Sequence, residues 1–228
     1  TNGGQLYLEP ERVLREDGLL EGRKDKIVSS GNLRACTVTT DNEIFCWGSS
    51  GYGSLGVGYS PPNPQTTPVQ VAKPSGMTGE ITGIAMGDHS VCVISDGDLW
   101  CWGRNNRGQL GDNTLTGRMA PVRVHNICTH AGKPVTHVDS AVYLYTFCAV
   151  AAGEAYCWGS NEYGQIGDGT TTDRRVPTPV LKQSGRLAGK TVVKITSAFG
   201  YRTIDGSLST PDGTGGPSGI CTPSNRTC

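Results

Sequence analysis

The sequence predicts an all-β fold, made of a four-stranded unit repeated three times and begun a fourth. Three observations carry this reading. Glycine supplies 33 of 228 residues while hydrophobic residues reach only 36% and charged residues 18%, which suits a turn-rich β chain and leaves little for long amphipathic helices. The tripeptide Cys-Trp-Gly recurs at Cys46–Gly48, Cys101–Gly103 and Cys157–Gly159, at intervals of 55 and 56 residues. Strand and turn signals recur around each copy in one order, and four short strands at such a period make a propeller blade. The expected architecture is a partial β-propeller of about three and a half four-stranded blades, with disulfide-bridged hairpins.

In chain order, residues 1–26 are a charged linker with one strand candidate, Gln5-Leu6-Tyr7-Leu8. The propeller region is expected over 27–206, with blades near 27–72, 80–125 and 134–182 and a partial blade at 190–208. Each blade opens on an apolar strand: DKIVSS, EITGIAM and PVTHVDSAV. A hairpin follows, and its register can be counted. In the second copy Asp96-Gly97 is a two-residue turn, the strongest short hairpin signal, so Ser95 faces Asp98, Val93 faces Trp100 and Cys92 faces Cys101. That pair falls at a non-hydrogen-bonded position, where the Cα separation of roughly 4.5 Å lies within disulfide range. Ala152-Gly153 sets Cys148 against Cys157 in the same way, and a three-residue turn, Thr40-Asp41-Asn42, sets Cys36 against Cys46. Three cross-strand disulfides are predicted, each worth roughly 2.5 kcal/mol by the chain-entropy account.

After each Cys-Trp-Gly comes a glycine-rich loop, GSSGYGSLGVG, GRNNRGQLGDN or GSNEYGQIGDG, with paired glycines at Gly53/Gly56, Gly108/Gly111 and Gly164/Gly167. A proline-led strand completes the unit: Thr67-Pro68-Val69, Ala120-Pro121-Val122 and Thr178-Pro179-Val180. The fourth unit begins with Lys194–Ala198 and a shortened hairpin at Ile204–Leu208, without cysteine or Cys-Trp-Gly. Residues 207–228 form a Gly/Pro/Ser-rich tail. The nine cysteines leave Cys128, Cys221 and Cys228 after the three hairpin pairs; Cys221–Cys228 is the expected further bridge, with Cys128 unpaired or intermolecular.

The loops CWGRNNRGQLGD and CWGSNEYGQIGDGT resemble repeats of the regulator-of-chromosome-condensation family, whose blades carry an N-x-x-G-Q-L-G loop; the cysteine pairs resemble the bacterial, extracellular version. The likeness covers about residues 24–206, and the first copy departs from it, with Ser54 in place of glutamine. It implies a β-propeller used mostly as a binding platform, commonly of seven blades, which at this period needs roughly 390 residues. It also makes Gln5–Leu8 the candidate strand for completing a blade from the opposite terminus.

Several motifs reduce to structure once the copies are compared. Gly51–Gly56 is formally a G-x-G-x-x-G, but its counterparts keep only the last two glycines and no helix follows. His89, between Asp88 and Ser90, has Leu33 and Tyr145 as counterparts, which reads as a packing position and not a catalytic relay. Trp47, Trp102 and Trp158 are expected to pack between blades. His125, Cys128, His130 and His137 lack an attested zinc spacing, so no metal and no cofactor is expected. Asn225-Arg226-Thr227 matches a glycosylation sequon in the tail.

Twenty basic and 20 acidic side chains cancel, which argues against a nucleic-acid binder, and no apolar run approaches the ~18 residues of a membrane span. The start lacks methionine and a basic-then-apolar leader, as expected of a processed chain. The disulfides place the chain outside the cell or at its surface, which excludes nucleotide exchange on an intracellular GTPase. The expected function is a non-enzymatic protein-interaction module, a subunit of a cell-surface or appendage assembly. Its partners would be copies of itself or other surface subunits, because incomplete propeller arcs leave sheet edges open. The alternative is a secreted inhibitor or ligand-binding protein acting through loops 48–60, 103–118 and 159–175, with Tyr52, Tyr59, Asn105, Arg107 and Tyr163 as contacts. Against that alternative, the loop aromatics are expected to be only Tyr52, Tyr59 and Tyr163, too few for an aromatic face.

Overall fold

A computed structural model describes residues 18–125, 127, 134–141, 145–181, 187–196, 200–203 and 208–209. It is the all-β propeller arc that the repeat predicts. The first blade holds β1 (Asp25–Gly31), β2 (Arg34–Thr39), β3 (Ile44–Gly48) and β4 (Gln65–Gln70). The second holds β5 (Ile81–Met86), β6 (Ser90–Ser95), β7 (Asp98–Gly103) and β8 (Arg118–Arg123), and the third β9 (Val135–Ala141), β10 (Thr146–Ala151), β11 (Glu154–Gly159) and β12 (Arg174–Pro179). Each is an antiparallel meander in sequence order; a three-stranded sheet of β13 (Val192–Thr196), β14 (Gly200–Thr203) and β15 (Leu208–Ser209) follows. The N-terminal strand candidate, Cys128, the Cys221–Cys228 pairing, the turn residues 204–207 and the tail beyond 209 lie outside the described residues.

The hairpins have the counted register. Cys92 lies opposite Cys101 and Val93 opposite Trp100, with Cys148 opposite Cys157 and Cys36 opposite Cys46. All three pairs are disulfide-bonded with Cα atoms 4.1 Å apart. Asp96-Gly97 and Ala152-Gly153 both have positive φ at both positions, the geometry that matches strand twist in a two-residue hairpin. The glycine of each Cys-Trp-Gly is dictated by crowding. A Cβ on Gly48, Gly103 or Gly159 would sit 2.4, 2.1 and 2.1 Å from the carbonyl oxygens of Leu33, His89 and Tyr145, and all three have φ near 100°.

One register differs from the sequence expectation. In the outer strands, Val69 faces Cys46 and Val122 faces Cys101, but Thr178 faces Cys157. The structural counterpart of Pro68 and Pro121 is therefore Pro177, not Pro179. The run Val176-Pro177-Thr178-Pro179-Val180 carries two prolines two residues apart, so a slip of two keeps every side chain on its own face and the pattern alone cannot place it. The backbone decides it: Val180 N–H donates to Ala155 as Val124 does to Leu99 and Val71 to Ile44. Proline is tolerated because these are outermost strands with an unpaired edge.

The core lies between blades. Alternate side chains of each hairpin face opposite neighbours, so one face carries the tryptophan and the other the disulfide. Cys36, Val38, Ile44 and Cys46 of the first blade pack on Val91, Val93, Trp100 and Trp102 of the second. Cys92, Ile94, Leu99 and Cys101 then pack on Phe147, Ala149, Tyr156 and Trp158 of the third. Val150, Ala155 and Cys157 meet Leu187, Val192 and Ile195. The fourth sheet thus occupies the next blade position.

Candidate functional site

The glycine-rich loops join the third and fourth strands of each blade and lean onto the blade that follows. Trp102 donates its indole N–H to the Ser54 carbonyl at 3.0 Å, and Trp158 to the Gln109 carbonyl at 2.9 Å. Both rings are fully buried. A Cβ on Gly56 would lie 2.6 Å from the Trp102 ring and one on Gly111 2.9 Å from Trp158; one on Gly53 or Gly108 would strike the backbone of Met119 or Arg175. The paired glycines are where a loop lies flat on the neighbouring blade. At Gly164 only the carbonyl of Thr170, in its own loop, is near; Gly167 has φ +71°.

Trp47 is the exception among the tryptophans. It is half-buried and its N–H has no hydrogen-bond partner among the described residues. Ala35 beside it is half-buried and Val28 is 63% exposed, whereas Val91 and Phe147, the counterparts of Ala35, are fully buried. The first blade thus presents, among the described residues, a face that the second and third bury.

Asn105, expected as a binding contact, is instead the internal tie of its loop and is 1% exposed. Its amide donates to Asp112 Oδ1 and to the carbonyls of Thr114 and Thr116, and its Oδ1 accepts from Leu110 N–H. Asn161 does the same for Thr170, Thr172 and Ile166. An asparagine reads as a surface residue until its loop closes around it. Asp112 takes the Nε/Nη2 edge of Arg118, and Asp168 that of Arg174. Burial would raise both carboxyls, but hydrogen bonds from the threonine two residues on and from the arginine outweigh it and hold both below the ordinary range. Arg107 bridges two loops, pairing with Glu162 and with Asp173 at 3.1 Å. Tyr163 and Tyr59 project into solvent, 82% and 58% exposed.

On the same side as these loops, the turns between first and second strands bring up Leu33, His89 and Tyr145. This column is a turn, not a packing position: Leu33 and Tyr145 have φ of 65° and 50°, and Leu33 is 80% exposed. Here three blades meet. Arg104 lies 4.7 Å from the ring centre of Tyr52 and 4.9 Å from that of Tyr145, and donates to the Tyr145 hydroxyl at 3.1 Å. Tyr52, 60% exposed and with φ of 60°, packs on His89 with centroids 5.0 Å apart. Asp88 lies 3.8 Å from Arg104 and accepts from Asn32. Beneath it the Arg34 guanidinium donates to the carbonyls of Gly87, Asp88 and Ser90. Burial lowers Arg34 to about 10, partly countered by Asp88, so it remains a cation at neutral pH. Burial also lowers His89, with Arg34 and Arg104 adding to the effect against Asp88, so its imidazole is neutral there. Ser90 Oγ is buried without a partner among the described residues, so Asp88, His89 and Ser90 form no hydrogen-bonded relay there. An aromatic–arginine face therefore exists, which the count of loop tyrosines missed because Tyr145 and His89 sit in the turns between first and second strands and Arg104, though in a counted loop, is not aromatic.

The pattern of the regulator of chromosome condensation (RCC1) repeat matches residues 41–94, 96–144 and 152–198, well over half the chain. The chain belongs to the RCC1-repeat family. Each matched segment begins near a hairpin turn and ends within the following blade, so a repeat in this family spans a blade boundary, and each tryptophan staple joins one matched segment to the next. The Arabidopsis thaliana ultraviolet-B receptor UVR8 is 30% identical over 184 residues, covering 79% of this chain and 40% of that protein. The human E3 ubiquitin-protein ligase HERC2 is 28% identical over 199 residues, covering 85% of this chain and 4% of that protein. The crystal structure of Prp20p from Saccharomyces cerevisiae superposes with a TM-score of 0.60 at 28% identity, covering 71% of this chain and 39% of that one. The chain thus spans less than half the length of these relatives. No helix among the described residues is long and apolar enough to cross a membrane.

Proposed function

We propose that this chain is a non-enzymatic protein-interaction module that works outside the cell or at its surface, as a subunit that assembles with copies of itself or other surface subunits. Protein binding is the use described for a relative: the Prp20p structure was reported together with its binding to Gsp1p and histones. The observation that carries the assembly reading is the first blade's face, where Val28, Ala35 and a Trp47 without a hydrogen bond among the described residues occupy positions that a neighbouring blade covers twice elsewhere in the chain. The extracellular placement is supported by three buried disulfides in register. Light scattering across a concentration series tests assembly: association that Val28→Glu weakens is expected, and a chain that stays monomeric at high concentration refutes it. Peptide mapping of native material under non-reducing conditions tests placement, since free thiols at all six positions would remove its support.

A second reading has its own observation. The cluster of Tyr52, His89, Arg104 and Tyr145 is a ready contact surface for a captured protein, as in a secreted propeller-type inhibitor. Tyr52→Ala and Val28→Glu separate the two readings, because each touches one surface alone.

A further inference from the structure

We infer that Arg104 is the anchor of the loop face and that it takes a carboxylate side chain, aspartate or glutamate, from a protein partner. This rests on the loop-face reading and adds the chemistry of what is bound. Arg104 uses one end of its guanidinium: Nη1 donates to Tyr145 and lies 3.8 Å from Asp88. Nε and Nη2 donate to no acceptor among the described residues. That edge is the one that grips carboxylates in this chain, since Arg118 and Arg174 both turn Nε and Nη2 onto Asp112 and Asp168.

The surroundings favour an anion. Among the described residues, Arg34 and Arg104 are two cations around the single carboxylate of Asp88, with His89 neutral, which leaves one positive charge uncompensated there. Tyr52 and Tyr145, from two other blades, both lie against the guanidinium, and the Tyr145 hydroxyl holds Nη1, which restricts its direction before any partner arrives. Both tyrosines adopt left-handed backbone conformations, unusual for bulky residues and held here by the turns that present them. The Arg104 side chain is 23% exposed, so an incoming carboxylate is partly shielded from water, where a bidentate pair is stronger than at an open surface. Leu33, 80% exposed at the corresponding turn of the first blade, offers apolar contact on the same side. The fitting ligand is a polypeptide segment bearing an acidic residue next to an apolar one.

The test is to pan a phage-displayed library of random peptides against the full oxidised chain, then measure the enriched peptides on variants. Enriched sequences sharing an Asp or Glu are expected, with affinity falling about ten-fold or more on Arg104→Gln and nearly as much on Arg104→Lys, which keeps the charge but loses the planar fork. Converting the acidic residue to its amide should cost the same on the unmodified chain and nothing further on Arg104→Gln. Near-ultraviolet circular dichroism checks that the variants keep the fold. Peptides that lose affinity on Tyr52→Ala but not on Arg104→Gln overturn the carboxylate anchor and leave the loop-face reading standing. Peptides indifferent to both, or no enrichment at all, overturn both.

Discussion

Replacing each repeat tryptophan by alanine in turn gives a comparison with its own internal control. Trp158 is fully buried, stacks on Phe147 with centroids 6.1 Å apart and donates to Gln109 at 2.9 Å. Deleting a buried Trp or Phe side chain costs about 3–5 kcal/mol, and the abandoned Gln109 carbonyl places the loss toward the upper end. Trp102 has the same burial and the same bond to Ser54, so it should lose a similar amount. Trp47 is half-buried and unbonded among the described residues, so its removal should cost only about 1–2 kcal/mol of transfer energy. Against a total stability of roughly 5–15 kcal/mol, this gap is easily resolved. Urea unfolding of the oxidised chain at a concentration where it is monomeric is the assay. With a slope of about 2 kcal/mol per molar, Trp102→Ala and Trp158→Ala should each lower the midpoint by about 2 M and Trp47→Ala by less than about 1 M, at equal slopes. Three equal shifts would refute the account of the loop–tryptophan staple as the source of blade-to-blade stability.

Asn161→Ala should destabilise the third blade by about 2–3 kcal/mol, because it unties several loop bonds at once and leaves the Ile166 N–H buried without its acceptor; thermal unfolding beside Asn106→Ala, outside the knot, checks it. Reduction of the three hairpin disulfides should lower stability to urea cumulatively, by up to roughly 2.5 kcal/mol per bridge, and alkylation-trapped intermediates report each bridge separately. Acid stability should depend on Asp112 and Asp168. Both carboxyls have folded pKa values below their unfolded ones, so their contribution is complete above about pH 4 and is lost as pH falls through the folded values. Asp112→Asn should therefore flatten the acid limb of the stability–pH curve; an unchanged limb would refute the assignment.

The hairpins were legible in the sequence because a two-residue turn fixes every pair beyond it, so Asp96-Gly97 alone settles Cys92 against Cys101. The outer strand of the third blade was not, because Pro177 and Pro179 satisfy the same face pattern and only the Val180–Ala155 hydrogen bond separates them. Asn105 was misread for a different reason: residue type predicts exposure, but a side-chain amide in a loop can satisfy that loop's own backbone groups. The binding face was hidden by distance along the chain. Tyr52, Arg104 and Tyr145 occupy three different columns of the repeat, and only the stacking of consecutive blades brings them into contact. Comparing the columns did hold a usable sign: Leu33, His89 and Tyr145 differ in character while the glycine facing them does not, which marks variable decoration on a fixed scaffold.

The staple also gives the arc a direction. The accepting carbonyl and the donating indole sit 48 and 49 residues apart, in successive blades, with the acceptor always first. A cut made between sheets would separate the two halves of a joint, whereas cuts just after two successive Cys-Trp-Gly tripeptides would carry both away together. Excising the segment from Ser49 through Gly103, which holds both Ser54 and Trp102, should therefore join Gly48 to Arg104 and seat the second loop on Trp158 unchanged, one blade shorter. The joint, and not the sheet, is the unit in which such a chain can be lengthened or shortened.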